Sequence, residues 1–138
     1  MSKKSTKLLD VIVIGAGASG MMAAITAARR GKSVAILERM NKPGKKILAT
    51  GNGKCNFTNN NMDTSRFHGN IQLIQSVLDR FSKEDTLSFF HEIGIWPKEK
   101  NGYYYPNSGQ AVSVVEAFNH ELNRLHVPVY LEQEALDL

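Results

Sequence analysis

The sequence predicts an α/β fold with a parallel sheet and flanking helices, and three observations carry that prediction. Val11–Ile14 is a short β-branched run that stops at a glycine, Met21–Arg30 is rich in alanine and methionine without a helix breaker, and Ser33–Leu37 is a second apolar run closed by Glu38. Strand, helix and strand in about 30 residues make a β-α-β unit, whose parallel strands are expected to be buried on both faces. The 138 residues give room for about one domain at the usual span of roughly 100–200 residues. With 42% hydrophobic and 22% charged residues the composition is that of a globular protein, which excludes wholesale disorder, collagen and a disulfide scaffold. Cys55 is the single cysteine, so no internal disulfide, zinc tetrad or CxxC pair can form, and a reducing, cytoplasmic setting is expected.

Each element has a local reason. Gly31 stands where the first helix needs a left-handed terminus. From Arg39 to Asn61 the chain turns to Gly, Asn, Lys and Thr with Pro43 and no apolar period, which reads as a long loop, and loops of that length are commonly functional. Ile71, Ile74, Leu78 and Phe81 recur at spacings of three and four, an amphipathic helix ending near Arg80. Ser82-Lys83-Glu84-Asp85 resembles a capping box opening another helix, with Leu87, Phe90 and Ile93 inward and Gly94 as its stop. Asn101-Gly102 reads as a turn, and Tyr103–Pro106 as a short extended piece. A last helix starts at Ser108 or Gly109 and presents Ala111, Val115, Phe118, Leu122 and Leu125, followed by a third strand over Val127–Leu131. Leu8–Ala28 is apolar enough to suggest a leader or a span, but Asp10 and glycines 15, 17 and 20 interrupt it, so no membrane association is expected.

Gly15-Ala16-Gly17-Ala18-Ser19-Gly20 joins the first strand to the first helix, and Glu38 closes the second strand 18 residues after Gly20. A GxGxxG in that context is the fingerprint of a Rossmann dinucleotide-binding unit. Gly15 permits the tight turn, Gly17 lets the backbone approach a pyrophosphate, and Gly20 lets the helix pack on the strand. The amides here, those of Ala18 and Ser19 included, attract the diphosphate together with the helix dipole. Glu38 accepts hydrogen bonds from ribose hydroxyls and disfavours a 2′-phosphate, which makes NADP the least suited occupant.

Charge is uneven along the chain. Residues 1–54 carry eleven Lys and Arg against Asp10 and Glu38, whereas residues 55–138 carry six against eleven acids. Lys3, Lys4 and Lys7 read as a solvated tail, while Lys42, Lys45, Lys46 and Lys54 are expected to face an anion. His68, His91, His120 and His126 have no metal-ligand spacing, so no metal is expected, and no residue is assigned catalysis.

The stretch Gly15-x-Gly17-x-x-Gly20-x3-Ala24-x6-Gly31 resembles flavoproteins with two dinucleotide-binding domains, which puts FAD ahead of NAD. The run from Gly44 through Thr50-Gly51-Asn52-Gly53-Lys54-Cys55-Asn56 to Asn59 resembles the signature of the BaiN/RdsA-type FAD-dependent oxidoreductases. The similarity continues through Phe67-His68-Gly69-Asn70, Asn101-Gly102-x-x-Tyr105-Pro106 and Ser108-x-Gln110-Ala111. Lys54 stands where that family usually has arginine, and Tyr103 where it often has a basic residue.

The resemblance implies a Rossmann-like FAD-binding domain, incomplete in this chain. Residues 1–138 would be its amino-terminal part, with the substrate domain and a returning FAD segment absent. The 44–59 loop then reads as a flavin clamp: Gly51 and Gly53 remove side chains where a ring or phosphate approaches, Lys45, Lys46 and Lys54 supply charge, and Asn56 offers donor and acceptor to a ring edge. Arg39, Thr50 and Cys55 count among the cofactor-binding residues, although a lone cysteine such as Cys55 is more often a packed small residue. The resemblance also puts a backbone contact to adenine near Ala135. It implies hydride transfer from NAD(P)H through FAD to an unsaturated acceptor in the whole protein, with this chain alone inactive. Acceptors in that family range from bile-acid intermediates to ribosomal-RNA uridine, which keeps RNA among the candidate partners. An apolar face left open where further strands would dock makes self-association an expectation. Two other readings stand beside it: an NAD-dependent dehydrogenase unit, and a non-catalytic nucleotide- or RNA-binding module using the lysines.

Overall fold

The computed structural model describes residues 8–137; the lysines at 3, 4 and 7 lie outside them. The elements run β1 (Val11–Ile14), α1 (Ala18–Arg29), β2 (Val34–Glu38), α2 (Lys45–Ala49), β3 (Thr58–Asn59), α3 (Ile71–Arg80), α4 (Lys83–Glu92), β4 (Pro97–Lys100), β5 (Tyr103–Pro106), α5 (Ala111–Arg124) and β6 (Val129–Leu131). Two compact units result: residues up to 45 with 118–138, and residues 46–117.

In the first unit β2 is the central strand of a parallel sheet ordered β1-β2-β6. Alternate residues of its strands point to opposite faces. Val34 and Ile36 of β2 are buried with Met21, Ala24 and Ile25 of α1 and Phe118 and Leu122 of α5. Asp10 fixes the entry to β1, its carboxylate accepting from both the amide and the hydroxyl of Ser33 at 2.7 Å. The sequence anticipated strands buried on both faces, but β1 alternates, with Ile12 59% and Ile14 51% exposed. Tyr130 of β6 is in register with Leu37 and is exposed too, so one face of the sheet is open at Ile12, Ile14 and Tyr130, while Ala35 on it is buried. Glu121 is the buried acid of this unit. Its carboxylate accepts from Arg29 Nε at 2.9 Å, from Arg124 Nε at 2.7 Å and from Arg124 Nη2 at 2.8 Å, tying α1 to α5.

In the second unit β3, β5 and β4 form an antiparallel sheet in that order. The Asn101-Gly102 turn joins β4 to β5 with φ of 54° and 83°. Two such positive values are what a tight hairpin turn requires. Phe89 and Phe90 of α4 are buried, and Phe90 lies 4.3 Å from the ring of Phe57. The expected capping box is present, Ser82 Oγ accepting from Asp85 N while Asp85 accepts from Ser82 N. The expected long loop is broken by α2 and by a 3-10 turn over Thr50–Gly53, so that part of the prediction is corrected. Helix α3 forms where the apolar spacing put it, yet none of its residues is buried. Among the described residues no helix is long and apolar enough to cross a membrane.

Arg124 first, and Arg29 with it, holds the Glu121 carboxyl below the ordinary glutamate value. A depressed folded-state value contributes stability that is fully present above the unfolded value, near 4.5, and is lost as pH falls through the folded one. Glu121→Gln is expected to cost about 1–3 kcal/mol at neutral pH. In urea titrations, its deficit against the parent should shrink as pH drops below the mid-fours; a deficit constant with pH would count against the ion cluster. Thr58 is buried and its hydroxyl has no hydrogen-bond partner among the described residues. Thr58→Val should raise stability by about 0.5–1.5 kcal/mol, read from the urea midpoint at unchanged slope.

Candidate functional site

The residues singled out by the sequence fall in both units. In the first, β1 ends at Gly15, which turns with φ of 96° and donates its amide to Leu37 O at 2.7 Å. The chain then doubles into α1. A Cβ on Gly20 would lie 1.9 Å from Gly15 O and 3.3 Å from Val13 Cγ1, so helix and strand close on each other only because that side chain is missing. Gly17 is different: a Cβ there would meet nothing within 4 Å.

Gly17 is the N-cap of α1, no side-chain cap bond is made there, and no acid occupies the first turn. The leading amides of a helix have no intrahelical acceptor. Those of Ala18 and Ser19, both exposed residues, therefore present the positive end of the helix dipole at an open surface. At the end of β2, half-buried Glu38 turns back toward this tip, its Oε2 accepting from Ala16 N at 2.6 Å and its Oε1 from Met40 N at 2.8 Å. A carboxylate has about four lone-pair sites, so acceptor capacity is left over after these two bonds.

Backbone contacts that no sequence pattern could announce complete this corner. Gly44 N donates to Ala16 O at 2.8 Å, Gln133 N to Glu38 O at 3.0 Å and Glu132 N to Met40 O at 3.2 Å. They bring the 132–133 backbone alongside the end of β2, with half-buried Ala135 two residues further on. Arg39 is exposed and 3.8 Å from Glu134, a solvent-screened pair of little energetic weight. Lys42 and Lys45 are exposed.

In the second unit, Lys46 and Lys54 are exposed and Thr50 Oγ1 donates to Ile47 O at 2.7 Å. Gly51, Asn52, Gly53 and Cys55 have φ of 54°, 54°, 79° and 57°. A left-handed cysteine is a rare conformation, held here by the Cys55 amide on Thr50 O at 3.1 Å. Cys55 is buried, and burial pushes its thiol up, against a smaller opposing effect from Thr50.

Two loop expectations change. A Cβ on Gly51 would lie 2.7 Å from Asn56 N, so this glycine makes room for the chain's own backbone rather than for a ring or phosphate. Asn56 donates to Thr58 O and Tyr104 O, each at 3.1 Å, which engages both amide hydrogens and leaves its oxygen alone to act as an acceptor. Gly53 keeps open space around it. Among the described residues no group of His, Cys, Asp and Glu could hold a metal.

Comparison with known proteins agrees with this geometry. The chain is 48% identical over 131 residues to the 3-dehydro-bile acid delta(4,6)-reductase of Clostridium scindens, across 91% of this chain and 32% of that protein. It is 32% identical over 131 residues to the ribosomal RNA dihydrouridine synthase of Escherichia coli, across 94% of this chain and 32% of that one. It thus spans about a third of the length of these relatives. The fold matches the 3-ketosteroid-delta4-(5alpha)-dehydrogenase of Rhodococcus jostii with a TM-score of 0.66, over 94% of this chain and 39% of that chain, at 14% identity. The HI0933-like protein Rossmann domain matches residues 9–138, and the chain belongs to that family.

Proposed function

We propose that the chain is the FAD-binding portion of an NAD(P)H-dependent flavin oxidoreductase, and that it holds the ADP half of the cofactor. The observation that carries this reading is Gly17. Among the eleven glycines of the chain, it alone has neither a positive φ nor a neighbour that a Cβ would strike. An approaching diphosphate gives that position its reason: the Ala18 and Ser19 amides take the phosphate oxygens, the helix dipole offsets their charge, and the remaining lone pairs of Glu38 accept from ribose hydroxyls.

Within the same unit, Lys45 adds positive charge for the diphosphate and the 132–135 backbone is assigned to the adenine side. Bound FAD supplies hydride transfer; the chain supplies binding, orientation and charge compensation. Residues 1–138 then form the amino-terminal part of a FAD-binding domain. A substrate domain and a returning segment would complete the site, and the length of the relatives beyond the third that this chain matches leaves room for both. NAD(P)H is the donor and an unsaturated carbon centre the acceptor, in line with the reductase and the dihydrouridine synthase to which the chain is similar.

Titration calorimetry with FAD, ADP and NADH tests the reading. FAD and ADP are expected to bind with similar affinity, since both present the ADP half, and NADH binding about tenfold or more tighter than either would favour a nicotinamide dehydrogenase. Gly17→Asp sharpens the test, because a carboxylate at the N-cap satisfies the leading amides itself. Stability should hold or rise by a few tenths to about 1 kcal/mol, while ADP affinity drops about tenfold or more. Unchanged ADP binding in that variant would defeat the proposal.

A further inference from the structure

A recess lies wholly within the 46–117 unit, a cleft of about 290 Å³ lined by the Asn59–Asn61 run, Arg66 and the turn at 101–103. Its volume is near the lower end of small-ligand sites. What marks it is the sign of its hydrogen-bonding groups. Asn59 Oδ1 accepts from the amide of Asn61 at 2.8 Å, and Asn60 Oδ1 accepts from Lys83 Nζ at 3.2 Å and from the Tyr104 hydroxyl at 3.0 Å. A backbone amide and an ammonium can only donate, so both side-chain amides have their orientation fixed, with the carbonyl oxygens engaged and the NH2 groups remaining.

Arg66, Asn101 and Tyr103 also line the cleft, residues that carry a guanidinium, an amide and a hydroxyl, and no Asp or Glu is among the lining residues. Two acids border the lining residues, Asp63 near enough to Arg66 for their charges to interact and Glu99 at Gly102, and both also accept from backbone. Asp63 accepts from Ser65 N at 2.9 Å, and Glu99 accepts from Gly102 N. Asn101 and Gly102 are held in place by their left-handed turn, which presents the lining from a paired hairpin rather than a loose loop.

We propose that this cleft is an oxyanion subsite that takes a phosphate or carboxylate group, with Arg66 as its charged donor. A recess rich in donors, carrying one guanidinium and with no Asp or Glu among its lining residues, matches a planar or tetrahedral anion. The inference is independent of the dinucleotide reading, since it uses none of the same residues.

The test is a titration of the labelled chain by proton–nitrogen NMR with inorganic phosphate, with acetate, and with chloride at matched ionic strength. Saturable shifts at Asn101, Gly102 and the Asn59 and Asn60 side-chain amides are expected with at least one oxyanion and not with chloride. Saturation by phosphate alone assigns a phosphate ligand, and saturation by acetate alone a carboxylate. Arg66→Gln should weaken binding about tenfold or more, and Arg66→Lys by less. Asn101→Asp, which keeps a residue tolerant of the left-handed turn and adds a negative charge, should weaken it as well. Shifts that fail to saturate, that chloride reproduces, or that survive Arg66→Gln would overturn the proposal.

Discussion

The approach of Gly20 to the Gly15 carbonyl is the constraint on which the first unit depends. With a Cβ distance of 1.9 Å, no side chain can stand at position 20 without driving α1 off the tip of β1. Because that contact is backbone on backbone, it sets where the helix starts as well as how close it lies. It leaves the first amides of α1 beside the carboxyl end of the sheet, where Glu38 arrives from the adjacent strand in register with the turn. The Rossmann corner is thus a product of packing. The Glu38 bond to Ala16 follows from the pairing of β1 with β2, which sets the two strand ends side by side.

The same unit has to hold its helices over a thin sheet of three strands. Apolar burial comes from Met21, Ile25, Ile36 and Leu122, and the Glu121 carboxylate adds a polar clasp between α1 and α5. Glu121 is 5% exposed, while its partners Arg29 and Arg124 keep 33% and 58% of their side chains in solvent. Half-solvated arginines reduce the desolvation cost that makes fully buried ion pairs poor stabilisers, and the carboxylate still has its oxygens filled.

Legibility in the sequence tracked how local each determinant was. β1, α1 and β2 could be read because β-branched runs, an alanine-rich stretch and the glycines each encode their own conformation. The capping box at Ser82 was legible for the same reason. β4 was not, since Pro97-Lys98-Glu99-Lys100 has no apolar alternation and becomes a strand only by pairing with β5. The helix over Lys45–Ala49 is a little more than one turn, too short for periodicity to register. Burial was the least legible property: α3 has the right spacing, and Ile12 and Ile14 the right residue types, yet both present apolar surface, because spacing says which face is apolar and not what covers it. At the site, Glu38 and the glycine turn were readable, whereas the role of Gly51 depended on where Asn56 came to lie.

That contrast between glycines bears on how such sites are recognised. A glycine demanded by its own fold reveals nothing about a ligand: Gly15 has a left-handed backbone, Gly20 a carbonyl in its way, and Gly51 both. Gly17, with φ of −81° and ψ of −178°, lies in a region any residue adopts, at an N-cap with space for a side chain. Folding alone favours serine, aspartate or asparagine there, by a few tenths of a kcal/mol over glycine. Each of those would satisfy the amides of the first turn from within. Glycine at that position keeps the amides open, and on the proposed reading it is these amides that an incoming diphosphate uses.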